Sequence, residues 1–201
     1  VQRYVALGLE DSTHQAPKIP FPKLSVDKNN LQRLLASFSL NLDKPVIALL
    51  PGAEYGEAKR WPIEYYSELA IKLEQNGFQV WILGSKKDFE AAEQIVNNNS
   101  AINLCGKTKL EDSIDLLSAC KSAVTNDSGL MHIAAAVDIP LVAIYGSSTP
   151  DYTPPLTNKA KIQYLALECS PCFKRECPYG HTNCLKNIKP QAIFKSVIEN
   201  I

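Results

Sequence analysis

Three runs decide the fold: Ala123-Val124-Thr125, then Asn126-Asp127-Ser128-Gly129-Leu130-Met131-His132-Ile133-Ala134-Ala135-Ala136-Val137, then Leu141-Val142-Ala143-Ile144-Tyr145. The first and last are short, continuous apolar runs, the pattern of strands buried on both faces. Between them a polar Asn-Asp-Ser step and a glycine open an alanine-rich stretch that reads as a helix from Gly129 to Val137. A strand, a helix and a second strand with short connections form the unit that pairs strands in parallel and lays the helix across one face.

The same alternation extends upstream. Val46 to Leu50 is an apolar strand run. Pro62 to Asn76 reads as a helix with Pro62 at its first position, Ile63, Tyr66, Leu69, Ala70 and Leu73 on one face, and Gly77 as the stop. Gln79 to Leu83 is the next strand, followed by a helix with Phe89, Ala92, Ile95 and Val96 inward. Ile102 to Leu104 is a short strand, after which Thr108 and Glu111 form a capping box for a helix reaching about Ala119. Ile162 to Leu167 and Pro190 to Ile201 supply a sixth strand and a closing helix. The expected class is α/β, a Rossmann-like parallel sheet with helices on both faces. Ahead of it, residues 12 to 28 carry Pro17, Pro20 and Pro22 and read as an extended linker, with a short helix bearing Leu31, Leu34, Leu35 and Phe38 after it. The division is therefore an N-terminal segment and linker over 1–30 and a folded domain over 31–201.

Composition narrows the function. The chain has 201 residues, enough for one full core and too few for two. Lysine plus arginine equals aspartate plus glutamate at 21 each, which gives no basic footprint for nucleic acid or anionic lipid, so any anion must be held by a local site. No apolar run approaches membrane-spanning length, so no transmembrane segment is expected. Val1 to Leu7 lack the pattern of a signal peptide, and the start without methionine reads as a piece of something longer.

Ligands on parallel sheets sit at the carboxyl ends of the strands, which directs attention to the loops after residues 50, 83, 104, 125 and 145. The first, Pro51-Gly52-Ala53-Glu54-Tyr55-Gly56-Glu57-Ala58-Lys59-Arg60-Trp61-Pro62, delivers two cations immediately before a helix start, a combination suited to a diphosphate. It lacks the Gly-Lys-Ser/Thr ending of a Walker A loop, and no Gly-x-Gly-x-x-Gly follows any strand. In the fourth, Asp127 or Ser128 can cap the helix, Gly129 lets a phosphate approach the first-turn amides, and His132 lies in the first turn; a plain capping aspartate and a structural histidine explain the same residues. Gly84-Ser85-Lys86-Lys87-Asp88 offers either a ribose contact or a first-turn dipole partner at Asp88. Gly106-Lys107-Thr108-Lys109-Leu110 offers backbone to a base edge. Cys105 and Cys120 read as buried apolar residues. Cys169, Cys172, Cys177 and Cys184, with His181 among them, fit a structural zinc site, reduced thiols or an oxidised pair, the irregular spacing disfavouring zinc.

Taken together, Lys59-Arg60-Trp61-Pro62, Asn126-Asp127-Ser128-Gly129-Leu130-Met131-His132 and Tyr145-Gly146-Ser147-Ser148-Thr149-Pro150 resemble the bacterial lipopolysaccharide heptosyltransferases, over about residues 45 to 200. Cys169-Ser170-Pro171-Cys172-Phe173-Lys174-Arg175-Glu176-Cys177-Pro178 is similar to the branch of that family that adds the second heptose. The resemblance implies one half of a B-type, two-domain glycosyltransferase: the C-terminal domain, which binds the ADP-heptose donor. It implies Lys59 on the diphosphate, and Asp127, Ser128, Gly129 and His132 at the phosphate and sugar end. It also brings the Gly52 and Ala53 loop to the phosphates, the backbone around Thr108 to the adenine and the loop from Gly84 to the ribose. The general base belongs to an N-terminal acceptor domain, which would present the lipopolysaccharide inner core, so this chain is expected to bind donor and transfer nothing by itself. No metal or other cofactor is implied for the chemistry. The expected setting is the cytoplasm, with the full-length enzyme visiting the inner membrane peripherally. The rival readings are a donor domain for a UDP- or GDP-sugar and a non-enzymatic, zinc-stabilised interaction module.

Overall fold

The computed structural model describes residues 18–201 and, before them, Val5. The reading of Val1 to Leu7 and the opening of the linker with Pro17 lie outside the described residues. Six strands form one sheet: β1 (Val46–Leu50), β2 (Gln79–Ile82), β3 (Ile102–Asn103), β4 (Ser122–Asn126), β5 (Leu141–Ile144) and β6 (Ala160–Gln163). Their order is β3-β2-β1-β4-β5-β6 and every pairing is parallel. The helices are α1 (Lys28–Ser37), α2 (Ile63–Gln75), α3 (Phe89–Val96), α4 (Leu110–Ser118), α5 (Gly129–Ala136), α6 (Asn183–Lys186) and α7 (Pro190–Ile198). The Rossmann-like class expected from the alternation is the class observed.

The two-residue period of a strand explains why β1 is apolar throughout. Val46, Ala48 and Leu50 face one core with Leu34, Leu116, Leu117, Met131 and Ala134, beneath α1, α4 and α5. Ile47 and Leu49 face the other core with Tyr66, Leu69, Leu73, Ile95 and Ile193, beneath α2, α3 and α7. All five β1 residues are buried, and each large one contributes about 1.5–3 kcal/mol by leaving water. Because the strand order reverses between β1 and β4, the loops that leave these two strands diverge and open a crevice between them.

Several boundaries differ from the sequence reading. Helix α1 begins at Lys28, ahead of the apolar pattern, because Asp27 Oδ1 accepts the N–H groups of Asn29 and Asn30. Helix α4 is not opened by a Thr108–Glu111 box: Lys109 is its first flanking residue, and Asp112 Oδ2 accepts the Lys109 N–H at 2.9 Å. The sixth strand stops at Gln163, whose carbonyl accepts the Tyr145 N–H as the last rung; Ala166, with φ 46°, then turns the chain. Phe89 is exposed rather than inward, with the Lys107 ammonium 5.7 Å over its ring. The short helix α6 follows Thr182 in the left-handed region and carries no periodic signal long enough to read.

Asp115 fastens α1 to the domain. It is 4% exposed, and its oxygens accept the Asp27 N–H at 2.8 Å and Asn30 Nδ2 at 2.7 Å. Asp115→Ala is expected to cost about 1–3 kcal/mol, the range for stranding buried partners. Amide exchange should accelerate over residues 27–38, whereas unchanged protection there would show that α1 is held by its leucines alone.

Candidate functional site

The site is organised by Asn126, the last residue of β4, whose side chain is wholly buried. Its Nδ2 donates to the Pro51 carbonyl at 2.7 Å, and its Oδ1 accepts both the Trp61 N–H and the Tyr66 hydroxyl at 3.1 Å. One carboxamide thus ties the two ends of the 51–62 loop to β4. Trp61 completes the anchor: it is fully buried, its indole N–H donates to the Ile188 carbonyl at 2.8 Å, and its ring meets Tyr66 edge-on at 4.9 Å. Burial pushes the Tyr66 phenol up, so it stays protonated and serves as a donor.

Between these anchors, a single turn over Glu57–Lys59 aims Lys59 at the next loop. Lys59 Nζ donates to Asp127 Oδ2 at 2.5 Å, with the side chains 17% and 5% exposed. Arg60 turns elsewhere, 3.0 Å from Glu57 Oε1 and 3.7 Å from Asp88 Oδ1. Ser128 occupies the position that flanks α5, yet neither it nor Asp127 caps the helix with its side chain. The first-turn amides of α5 therefore remain available, and a Cβ added at Gly129 would meet no atom within 4 Å. His132 is exposed, but partial desolvation first, and then the nearby Lys59 charge, hold its imidazole below its ordinary pKa against the pull of Asp127. It is accordingly neutral near pH 7.

A cleft of about 590 Å³ runs along the carboxyl edge of the sheet from these groups. The loop after β1 contributes Gly52, Ala53 and Glu54, and the loop after β2 contributes Gly84, Ser85 and Asp88. The stretch after β3 contributes Thr108, Lys109, Leu110 and Ser113, and the start of α5 contributes Ser128, Gly129, Leu130 and Ile133. Ser128 and Gly129 follow directly on Asp127, and Leu110, Leu130 and Ile133 supply the apolar wall. Thr108 Oγ1 is buried and has no hydrogen-bond partner among the described residues. The loop after β5 does not line this cleft; it packs behind the lysine turn, where the Ser147 N–H donates to the Ala58 carbonyl at 3.2 Å.

Two local readings resolve structurally. Asp88 accepts the Ser85 N–H at 2.9 Å and the Ser85 hydroxyl at 2.7 Å, so it is a helix-start partner. Its carboxylate also explains two glycines: a Cβ at Gly52 would lie 2.8 Å from Asp88 Oδ2, and one at Gly84 would lie 3.0 Å from Asp88 Cβ. The cysteines give the zinc reading no support. Cys105 and Cys120 are buried, Cys169, Cys172, Cys177 and Cys184 are partly exposed, and all six are free thiols. Among the described residues no set of three or more His, Cys, Asp or Glu side chains is placed to hold a metal ion. Cys177 Sγ accepts the Thr182 N–H at 3.4 Å, and the amides of Tyr179, Gly180 and His181 also favour its thiolate.

Of the residues expected from sequence, the structure gathers Gly52, Ala53, Gly84, Thr108, Ser128 and Gly129 around one cleft. Lys59, Asp127 and His132 lie together next to Ser128 and Gly129 without lining the cleft, and Arg60 faces Asp88, which does line it. Sequence reasoning missed Asn126 as the organiser; its signal was a polar residue ending a wholly buried strand.

Comparison with known proteins follows the same lines. The family model described as glycosyltransferase family 9 (heptosyltransferase) matches residues 1–183. The chain is 42% identical to lipopolysaccharide heptosyltransferase 2 of Salmonella typhimurium, over 98% of this chain and 60% of the relative. It is 45% identical to lipooligosaccharide heptosyltransferase 2 of Haemophilus ducreyi, over 98% of this chain and 61% of that one. It superposes on the structure of E. coli ADP-heptose LPS heptosyltransferase II with a TM-score of 0.85 and 39% identity, covering 99% of this chain and 60% of that structure. The chain thus spans about three fifths of the length of these relatives. Among the described residues no helix is long and apolar enough to cross a membrane.

Removing the organising carboxamide strands three polar groups. Asn126→Ala is expected to cost about 2–4 kcal/mol in denaturant unfolding, and a loss below about 0.5 kcal/mol would contradict its role. The thiols rank themselves as well. Burial pushes Cys105 up to about 12 and raises Cys120 further, whereas backbone amides lower Cys177, so Cys177 keeps its thiolate to lower pH. Timed iodoacetamide labelling at pH 7 should modify Cys177 first and leave Cys105 and Cys120 unmodified in the native state; early labelling of either buried thiol would refute the assignment.

Proposed function

The chain belongs to glycosyltransferase family 9, the heptosyltransferases, and on that premise we propose that it is the donor-binding domain of an enzyme that transfers heptose from ADP-heptose to the inner core of lipopolysaccharide. The observation that carries this reading is the cleft that joins an apolar wall at Leu110, Leu130 and Ile133 to the open start of α5 at Ser128 and Gly129, next to the Lys59–Asp127 pair. Such an arrangement suits a ligand with a flat base and a diphosphate linked to a sugar.

In this reading the unpartnered Thr108 hydroxyl and the backbone beside it meet the adenine, and the Gly84 loop meets the ribose. With Asp88 already engaged by Ser85, the ribose is met by groups of that loop other than its carboxylate. The Gly52–Ala53 backbone and the α5 amides at Gly129 receive the phosphates, with Lys59 balancing the charge that grows on the departing diphosphate. Arg60 acts one step behind, by fixing Asp88. Asp127, an acceptor only, suits sugar hydroxyls better than phosphate oxygens. Neutral His132 can donate to one group and accept from another at that end.

What this chain does not supply is a base for the acceptor hydroxyl. By resemblance that base belongs to an N-terminal acceptor domain, in line with a chain that spans three fifths of its relatives. We assign residues 31–201 to the donor domain and 1–30 to the connecting segment, a boundary that falls in the first turn of α1. The full-length enzyme is placed in the cytoplasm, reaching its lipid-linked acceptor at the inner membrane surface.

Calorimetric titration of ADP, UDP and GDP tests this directly. ADP should bind best; Lys59→Ala should weaken it at least about tenfold, because the change removes a cation and leaves Asp127 unpaired. Gly129→Ala should leave stability within about 0.5 kcal/mol, since its Cβ meets open space, yet weaken ADP by intruding where a phosphate closes on the amides. Equal affinity for the three nucleotides would overturn the ADP assignment, and measurable heptose transfer by this chain alone would overturn the division of labour.

A further inference from the structure

We propose that Arg175 is a second cation of the same diphosphate site, delivered to it by the cysteine-containing segment; the inference rests on the ADP-binding reading above. Arg175 is far from Lys59 in sequence, but both lie against one ring: Lys59 Nζ is 5.2 Å and Arg175 Cζ 5.3 Å from the centroid of Tyr55. Their charges can be no further apart than those two distances end to end. A diphosphate accepting charge-assisted hydrogen bonds of about 2.8 Å at either end spans such a separation.

The placement is built by the backbone. The Tyr55 hydroxyl donates to the Phe173 carbonyl at 2.8 Å, the Ala58 N–H donates to the Arg175 carbonyl at 2.9 Å, and the Phe173 N–H donates to the Ser147 carbonyl at 2.7 Å. Gly56, with φ 155°, leaves room for this docking: a Cβ there would stand 2.5 Å from the Arg175 carbonyl oxygen. The segment is therefore seated against the turn that carries Lys59.

Charge gives the reason. Lys59 is paired with Asp127, but among the described residues Arg175 is in no ion pair, although its side chain is held against an aromatic face. Two cations held on one ring repel each other, and an anion bound by both relieves that repulsion. Arginine also presents the planar donor fork that fits phosphate oxygens.

The test compares ADP, AMP and adenosine by calorimetry on the wild-type chain, Arg175→Gln and Arg175→Lys, with thermal unfolding of each. Arg175→Gln should weaken ADP about tenfold and leave AMP and adenosine within about twofold, because AMP lacks the outer phosphate; Arg175→Lys should recover part of the loss. The unfolding midpoints should differ by no more than about 2–4 °C, since the exposed side chain loses only its contact with the Tyr55 ring. Wild-type ADP affinity in Arg175→Gln, or an equal loss for ADP and adenosine, overturns the proposal alone. A wild-type chain that does not bind ADP overturns both this proposal and the function it rests on.

Discussion

The buried carboxamide of Asn126 is the constraint on which the site depends. A strand end offers backbone groups that must find partners, and a loop of a dozen residues leaving the neighbouring strand is free to wander. One asparagine answers both needs, because its amide carries a donor and an acceptor at once: it holds the Pro51 carbonyl with one and the Trp61 N–H and Tyr66 hydroxyl with the other. The loop is thereby pinned at its first residue and just before α2. Whatever lies between the pins, including Lys59, inherits a defined position over the crevice between β1 and β4.

Electrostatics at that crevice is local. The chain as a whole is neutral, so no long-range field draws an anion in. The Lys59–Asp127 pair is largely withdrawn from water, where each ion loses hydration and regains it only through its partner. Such a pair is a poor source of stability but a good device for presenting a cation and an acceptor side by side without net charge. Beside it, α5 opens without a side-chain cap, so its first amides keep their hydrogen-bonding capacity for something other than the protein. A phosphate would satisfy these amides, and the lysine would share itself between phosphate and aspartate.

Legibility from sequence divided along physical lines. Where a residue's place follows from period and burial, the sequence sufficed: the run Val46–Leu50, the helix of Ile63–Gln75 and the helix start at Gly129 sit where their patterns put them. The loops that follow β1, β2, β3 and β4 converge because parallel order forces them to, and so the glycines, Thr108 and Ser128 share a cleft. What failed depended on choices between near-equal partners. Asp112 rather than Glu111 reaches back at α4. Asn126 could not be recognised as an organiser, because its partners are distant in sequence and two of them are backbone groups.

The cysteine-containing segment also carries residues that seat it on the site. The Ser170 hydroxyl donates to the Gly146 carbonyl at 2.5 Å, Phe173 bridges Tyr55 and Ser147 through its backbone, and the Arg175 carbonyl receives the Ala58 N–H. Two of these bonds reach the lysine turn itself, at Tyr55 and Ala58, where Asn126 makes no contact. The turn is therefore held from two directions, by β4 beneath and by residues 170–175 behind, each contributing polar backbone contacts that the turn could not make alone. A segment that must lie flat along such a surface needs closely spaced small or turn-forming residues, which is what a run of Cys, Ser and Pro supplies. Its value to the molecule is then as a brace, and one of its two long cations, Arg175, is placed where the brace meets the site.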